Sequence, residues 1–287
     1  MPHYAAGMGR DLPSVREALL VPPGSVILAG YDTAARPLAA GAKNTKLATS
    51  AKQLRALQER LWAEATAGGT RSILLVMQGI DTAGKGGVTE HVVGAFGPIG
   101  VQYTAFKKPT AQEAAHDFLW RIRKQLPTPG VIGVFDRSHY EDVLVPRVHH
   151  LIPEPEWEAR YGEINAFEAE VAASGTTLIK CFLHISYDTQ RERLLARLDD
   201  PDKHWKFNED DVTERARWSD YAAAFEGMLT NCNTAAGPWY LVPSDSKKYR
   251  NWAIGELLRE TLEELGPQYP RPALDVDALR QRLQPPH

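Results

Sequence analysis

Five short apolar runs punctuate the chain, at residues 73–77, 101–106, 131–135, 178–185 and 239–242, each bounded by glycine, proline or charge. They are almost unbroken rather than alternating, which predicts strands buried on both faces. Between them the apolar positions recur at helical spacing, over 87–95, 112–125, 156–173, 189–198, 211–231 and 249–264. An earlier helix over 45–67 repeats Leu47, Leu54, Leu57, Leu61 and Trp62, and stops at Gly68-Gly69. Apolar strands alternating with helices predict an α/β fold of three layers, a parallel sheet of about five strands covered on both faces. Residues 1–44, rich in Gly, Pro and Ala and without a steady period, read as an extension over the core or a partner subunit. Residues 45–270 read as one domain, and 271–287 as a Pro-rich tail.

The first run leads into chemistry. Ser72-Ile-Leu-Leu-Val-Met-Gln ends at Gly79-Ile-Asp-Thr-Ala-Gly-Lys-Gly-Gly, and a helical segment follows. Strand, glycine-rich loop and helix in that order make a P-loop: backbone N–H groups turn onto phosphate oxygens, the helix N-terminus adds partial positive charge, and Lys85 adds a full one. Gly79, Ala83, Gly84, Gly86 and Gly87 are the expected phosphate-binding backbone. The hydroxyl that ordinarily follows the lysine and holds Mg²⁺ is missing, since Gly86 stands there. The loop instead carries its own acid, Asp81, which reads as a metal ligand or as an orienter of metal-bound water; the alternative is a helix cap.

The third run delivers Asp136-Arg137-Ser138-His139-Tyr140-Glu141-Asp142 at its carboxyl end. Ligands of open parallel sheets bind at those ends, so this cluster and the P-loop should share a crevice. Asp136 is then the strand-end carboxylate that holds a metal, Arg137 a fork that bridges phosphoryl oxygens, and Glu141 and Asp142 acids at the crevice mouth that face a bound nucleotide; otherwise Asp136 and Arg137 form a local ion pair, with Glu141 and Asp142 at a solvated helix start. Lys107-Lys108 follows the second run and Arg121 and Lys124 come after it, four cations that read as a basic channel for a phosphate-bearing substrate. Arg193, Arg197, Lys203 and Lys206 fall in a segment of about 190–218, where a phosphoryl-transfer enzyme places a helical lid. Any one of these cations could equally sit in a surface ion pair, Arg197 with Asp199 or Asp200 for instance.

A formal charge of −3 over 287 residues leaves no global polyanion-binding surface, so any basic site is local, and nucleic acid is not an expected partner. The two cysteines, Cys181 and Cys232, have neither metal nor redox spacing. No apolar run of eighteen residues and no export signal is present, which predicts a cytoplasmic protein without a membrane span.

Taken with Lys203-His-Trp-Lys-Phe and Trp239-Tyr-Leu-Val-Pro, the loop and the Phe135-Asp-Arg-Ser-His-Tyr-Glu-Asp-Val-Leu-Val stretch resemble the type-2 polyphosphate kinase family, over roughly residues 45–270. The resemblance implies a P-loop kinase fold with a helical lid. It implies phosphoryl transfer between inorganic polyphosphate and adenine or guanine nucleotides, with Mg²⁺ (or Mn²⁺ in its place), in a homo-oligomer, dimer or tetramer. By it, Asp81 and Asp136 match the two acids that organise metal, Lys85 and Arg137 the phosphate ligands, and Lys107 and Lys108 a basic pair. The Ser-His-Tyr-Glu-Asp-Val-Leu-Val wording resembles the subclass that phosphorylates both AMP and ADP, although several of its members carry Asn where this chain has Asp136. Two alternatives stand beside it. An ATP-dependent nucleoside monophosphate kinase would be expected to keep Ser or Thr at position 86; a non-catalytic nucleotide-binding module would not need Lys85, Asp136 and a cationic lid.

Overall fold

The computed structural model describes residues 14–38 and 47–283, with side chains left out over 47–50. The expected helix start at residue 45 and the last residues of the tail, 284–287, lie outside the described residues. Five strands form one sheet: β1 (Ser72–Gln78), β2 (Val101–Ala105), β3 (Ile132–Asp136), β4 (Thr176–His184) and β5 (Trp239–Pro243). Their order is β2-β3-β1-β4-β5, and every pairing is parallel. All five expected strands are therefore present, within two residues at each end.

Successive side chains of a strand leave on opposite faces, so a strand covered on both sides must be apolar throughout. β1 is that case: Ile73, Leu75 and Met77 join one core, Leu74 and Val76 the other. The first core is closed by the Leu47–Thr66 and Lys247–Leu265 helices, through Leu54, Leu61, Leu257 and Leu258. The second is closed by Glu141–Val148, Glu154–Ala173 and Trp218–Asn231, through Leu144, Phe167 and Met228. These are the three layers expected.

Three expected helices are each broken, and the 87–95 stretch becomes Lys85–His91 and a 3-10 turn, Val93–Ala95. The 112–125 stretch becomes Ala111–Ala114 and Trp120–Arg123, because Asp117 Oδ1 accepts from the Leu119 N–H at 3.0 Å and starts a new turn. The 211–231 stretch becomes Asp210–Arg215 and Trp218–Asn231.

The segment 14–38 runs along the β5 edge of the sheet and sends side chains into both cores. A short helix, Val15–Leu19, is fastened to Glu260, which accepts from Ser14 Oγ (2.6 Å) and the Val15 N–H (3.0 Å). Leu20 then makes an antiparallel bridge to Tyr240, and the Val21 N–H donates to Trp239 O at 2.9 Å. The outer edge of β5 is thereby covered, whereas β2 at the other edge is half exposed.

Candidate active site

The carboxyl ends of β1, β2 and β3 open onto one cleft of about 1540 Å³, and residues 81–87, 105–107, 136–137, 193–206 and 247–251 contribute its walls. β1 ends at Gln78, and Gly79, whose φ is +153°, turns the chain against the Leu183 carbonyl, where a Cβ would come within 2.7 Å. The helix Lys85–His91 then starts with Gly84 at its N-cap and no side-chain cap. Asp81 is therefore not the capping residue, which removes the alternative reading of it.

Lys85 is buried, and its Nζ donates to Gly79 O at 2.7 Å, so the lysine folds back across the loop it closes. Asp81 and Arg137 meet across the cleft, Arg137 Nη2 to Asp81 Oδ1 at 2.6 Å. Arg137 adopts φ +62° and Thr82 +65°, left-handed conformations that cost non-glycine residues about 1–2 kcal/mol each. Burial pushes the Asp81 carboxyl up, but Lys85 and Arg137 outweigh it and hold it below the usual carboxylate range. Asp136, facing the same cleft, accepts from the Tyr103 hydroxyl at 3.0 Å; burial and Asp136 together push that phenol up to about 12. The sequence-level alternative, an Asp136–Arg137 ion pair, is thus replaced by a pairing of Arg137 with Asp81.

The loop glycines have a partner that sequence reasoning missed. A Cβ on Gly84 would lie 1.7 Å from Arg250 Nη1, and one on Gly87 2.6 Å from Arg250 Nη2. Arg250 is buried, donates to Ala83 O (3.2 Å) and Asn251 Oδ1 (2.8 Å), and has its pKa lowered to about 10 by burial and by neighbouring Arg193. Gly86, in contrast, is exposed and a Cβ there would meet nothing.

Arg193, expected as a lid cation, is turned onto the loop instead. It donates to the carbonyls of Thr82 (2.8 Å), Ala83 (3.1 Å), Ser244 (2.6 Å) and Asp245 (3.1 Å). Arg193 and Arg250 thus grip the loop from behind while their charge faces the cleft they line. Arg197 lines it too, paired with Asp211 at 3.1 Å rather than with Asp199 or Asp200. Lys203 bonds Asp200, and Lys206 stacks on Trp205. Lys247 and Lys248 line the far wall, also unforeseen. Their signal was a basic pair just past the carboxyl end of the fifth apolar run, the rule that located Lys107-Lys108.

Other expected residues are not brought to the cleft. Lys107 lines it, whereas Lys108 is exposed beside it. Arg121 is buried, donating to Asp142 Oδ2 (3.0 Å) and Lys107 O (2.7 Å), so Arg121 and Asp142 satisfy each other and neither lines the channel. Lys124 lies over the Trp120 ring, 3.4 Å from its centroid. These three placements correct the expected basic channel: buried pairing and stacking took the side chains that spacing alone assigned to substrate. Glu141 is half-buried, behind Arg137, with the Gln78 amide nitrogen 3.0 Å from Oε1 in the orientation that satisfies both groups. Burial pushes its carboxyl up, against the pull of Arg137 and Lys85, so it is not a solvated helix start.

The donor set suits a hard divalent cation. Asp81 and Asp136 offer carboxylate oxygens to a roomy cleft, and among the described residues no group of three or more His, Cys, Asp or Glu forms a protein cage. Mg²⁺ is ordinarily held that way, by one or two carboxylates with phosphate and water completing the octahedron. No helix among the described residues is long and apolar enough to cross a membrane.

Residues 38–269 match the family model described as polyphosphate kinase 2. The chain is 45% identical over 226 residues to an AMP/ADP-polyphosphate phosphotransferase of Meiothermus ruber, covering 79% of this chain and 83% of that protein. It is 41% identical over 252 residues to an ADP-polyphosphate phosphotransferase of Rhodopseudomonas palustris, covering 83% and 86%. The crystal structure of a polyphosphate kinase 2 from Arthrobacter aurescens TC1 superposes with a TM-score of 0.90 at 46% identity, over 94% of this chain and 96% of that one.

Proposed function

The chain belongs to the polyphosphate kinase 2 family, and from that premise we propose that it moves phosphoryl groups between inorganic polyphosphate and both AMP and ADP, with Asp81 and Asp136 holding Mg²⁺ or Mn²⁺. Relatives named for polyphosphate transfer to AMP/ADP and to ADP support phosphoryl transfer between polyphosphate and nucleotides. The observation that carries the reading is the surplus of positive charge in the cleft. Lys85, Lys107, Arg137, Arg193, Arg197, Lys203, Lys206, Lys247, Lys248 and Arg250 all line it, against the acids Asp81, Glu90 and Asp136. A chain of phosphates matches that excess better than one nucleoside triphosphate does.

In the reaction a phosphate oxygen of the acceptor attacks the terminal phosphorus of polyphosphate, and the phosphoanhydride bond behind it breaks, leaving the chain one unit shorter. A divalent metal held by Asp81 and Asp136 would neutralise negative charge on the phosphoryl group as it is transferred. The residues supply position. Loop N–H groups and Lys85 cradle the terminal phosphates, and the Arg137 fork, held by Asp81, bridges the transferred group. Arg193 and Arg250 fix the loop, and Arg197 on the lid helix stabilises negative charge as water is excluded. Homo-oligomer formation and residence in the cytoplasm belong to the same proposal, the first checked by light scattering.

The test supplies polyphosphate as sole donor, with AMP or ADP as acceptor, and follows ADP and ATP. Expected is Mg²⁺-dependent formation of both products. Transfer from ATP to AMP with no use of polyphosphate would make the protein an ordinary monophosphate kinase; no transfer from either donor would leave a binding module.

A further inference from the structure

An aromatic ring on the exposed edge of the sheet reaches the carboxylate at the end of β3. β2 is that edge strand, and its middle residue, Tyr103, is 45% exposed. Side chains alternate along a strand, so Tyr103 leaves on the face opposite to Gln102 and Thr104, whose side chains bond Gln125. Tyr103 pairs in register with Val134, and Ala105 with Asp136. Val134 packs in the core that also holds Val88 of the Lys85–His91 helix, so Tyr103, Asp136 and that helix share one face. Two residues of strand, ~6.6 Å, separate the levels of Tyr103 and Asp136. Ala105, the next residue on the face, carries only a methyl group and leaves the phenol room to donate to Asp136 Oδ2 at 3.0 Å. Ala105 and Asp136 line the cleft, whereas Tyr103 is not among its walls.

The two acids assigned to metal are held differently. Asp81 Oδ1 is taken by Arg137, a full positive charge. Asp136 forms no ion pair among the described residues, and the Tyr103 hydroxyl is the one hydrogen-bond donor to its carboxylate there. Oδ2 is thus occupied and Oδ1 is left without a partner. Thr89, one turn beyond Lys85 on the loop helix, lies within hydrogen-bonding reach of the same phenol. Edge strand, strand end and loop helix therefore meet at one hydroxyl.

We propose that Tyr103 positions Asp136 for the divalent cation: by holding Oδ2 it leaves Oδ1 as the single oxygen offered to the metal, and so favours Mg²⁺ over Ca²⁺. The inference rests on the assignment of Asp136 to metal made above. A carboxylate with both oxygens free can bind through the pair, which suits the irregular shell of Ca²⁺ at ~2.3–2.6 Å. Mg²⁺ demands a near-regular octahedron at ~2.0–2.1 Å, which the narrow bite of one carboxylate distorts. Hydrogen bonds that orient a ligating group are worth about 10–100-fold in metal affinity.

Tyr103→Phe removes the hydroxyl and keeps the ring. Free Mn²⁺, followed by its electron paramagnetic resonance signal, is titrated with enzyme and α,β-methylene ADP, then displaced with Mg²⁺ or with Ca²⁺; no turnover is needed. The ratio of the Ca²⁺ to the Mg²⁺ concentration that displaces half of the bound Mn²⁺ should fall at least ~10-fold in Tyr103→Phe, at an unchanged Tm. In an Asp136→Ala background the same substitution should change nothing further, since the hydroxyl acts through that carboxylate. Wild-type-like Mn²⁺ binding in Asp136→Ala would sink the metal assignment and the proposal with it. Weakened binding in Asp136→Ala together with an unchanged Ca²⁺/Mg²⁺ ratio in Tyr103→Phe overturns the role of Tyr103 alone, because a merely structural hydroxyl would weaken both cations equally.

Discussion

Beneath the Asp136-Arg137 cluster lies a fully buried ion pair whose disruption has a calculable size. Lys180, in the middle of β4, is 0% exposed and its Nζ donates to Glu168 Oε2 (2.6 Å), the Tyr140 hydroxyl (2.8 Å) and Cys232 O (2.7 Å). All three ammonium protons are used. Glu168, also 0% exposed, accepts further from the Tyr140 hydroxyl at 2.7 Å and lies 3.1 Å from His139 Nε2. Lys180→Met keeps the length of the side chain but strands a buried carboxylate, which costs about 3–5 kcal/mol. Unfolding entropy of about 2.1 cal/mol/K per residue gives roughly 0.6 kcal/mol/K for 287 residues, so Tm should fall by about 5–8 °C. Adding Glu168→Gln removes the stranded charge and keeps an acceptor for Tyr140; the double variant should recover at least half of the loss. The sign with pH is also fixed. In the wild type burial raises Glu168, but Lys180 and His139 outweigh it and its pKa is lowered. Its stabilisation is present above the unfolded carboxylate pKa of about 4.3 and is lost as pH falls through the lower folded value. In Lys180→Met the folded pKa rises instead, so the deficit is largest at neutral pH and shrinks on acidification. Scanning calorimetry of the four proteins of the cycle, at neutral and acidic pH, measures all of this. A single variant that loses less than ~1 kcal/mol, or a double variant no better than the single, would refute the argument.

The remaining predictions concern the cleft. Gly84→Ala should lower kcat at least ~10-fold, because its Cβ must expel the Arg250 guanidinium that grips the loop; near-normal kcat would mean that Arg250 moves freely. Asp81→Asn and Asp136→Asn should each lower Mg²⁺-dependent turnover at least ~100-fold, as expected where metal neutralisation contributes several kcal/mol, and Mg²⁺ titration of the residual rate tells a lost metal ligand from a lost fold. Glu141→Gln should lower kcat/KM for AMP at least ~10-fold relative to ADP, and, because burial raises the Glu141 pKa, the wild-type AMP/ADP ratio should itself fall on acidification, starting at a higher pH than an ordinary carboxylate would set; equal slowing of both acceptors makes it a scaffold residue. KM for long polyphosphate should rise more steeply with salt than KM for AMP, by analogy with counterion release, and Lys247→Ala/Lys248→Ala should flatten that slope.

The sheet was readable because parallel strands covered on both faces leave nothing but apolar residues, and β1 through Met77 obeys that rule completely. The loop and Asp136-Arg137 were readable for a related reason: their positions follow from strand ends, which the apolar runs locate. What escaped were side chains whose partners are distant in sequence. Arg250 is 166 residues after Gly84, and only the folded loop shows why that glycine needs it near. Arg121 and Asp142 were given to substrate because spacing placed them near the crevice, whereas folding paired them with each other. Lys180 did leave a trace, a lone charge inside Leu178-Ile-Lys-Cys-Phe, since a lysine in a doubly covered strand must find an acid; Glu168 could not be named from sequence because many acids lie on that helix.

The strap formed by residues 14–28 has a consequence for the order of assembly. Its contacts lie far along the chain: Ser14 meets Glu260, Val21 meets Trp239, and Val26 meets Thr230. A ribosome makes the strap long before its docking surface. β1 and β2 find their shared partner when β3 emerges, and β4 then adds beside β1, but the strap must wait, unpaired, until β5 and the helix behind it exist. Val15, Leu19, Val21 and Val26 can join the two cores only after that surface exists, which makes closure of the strap over β5 a late event in folding.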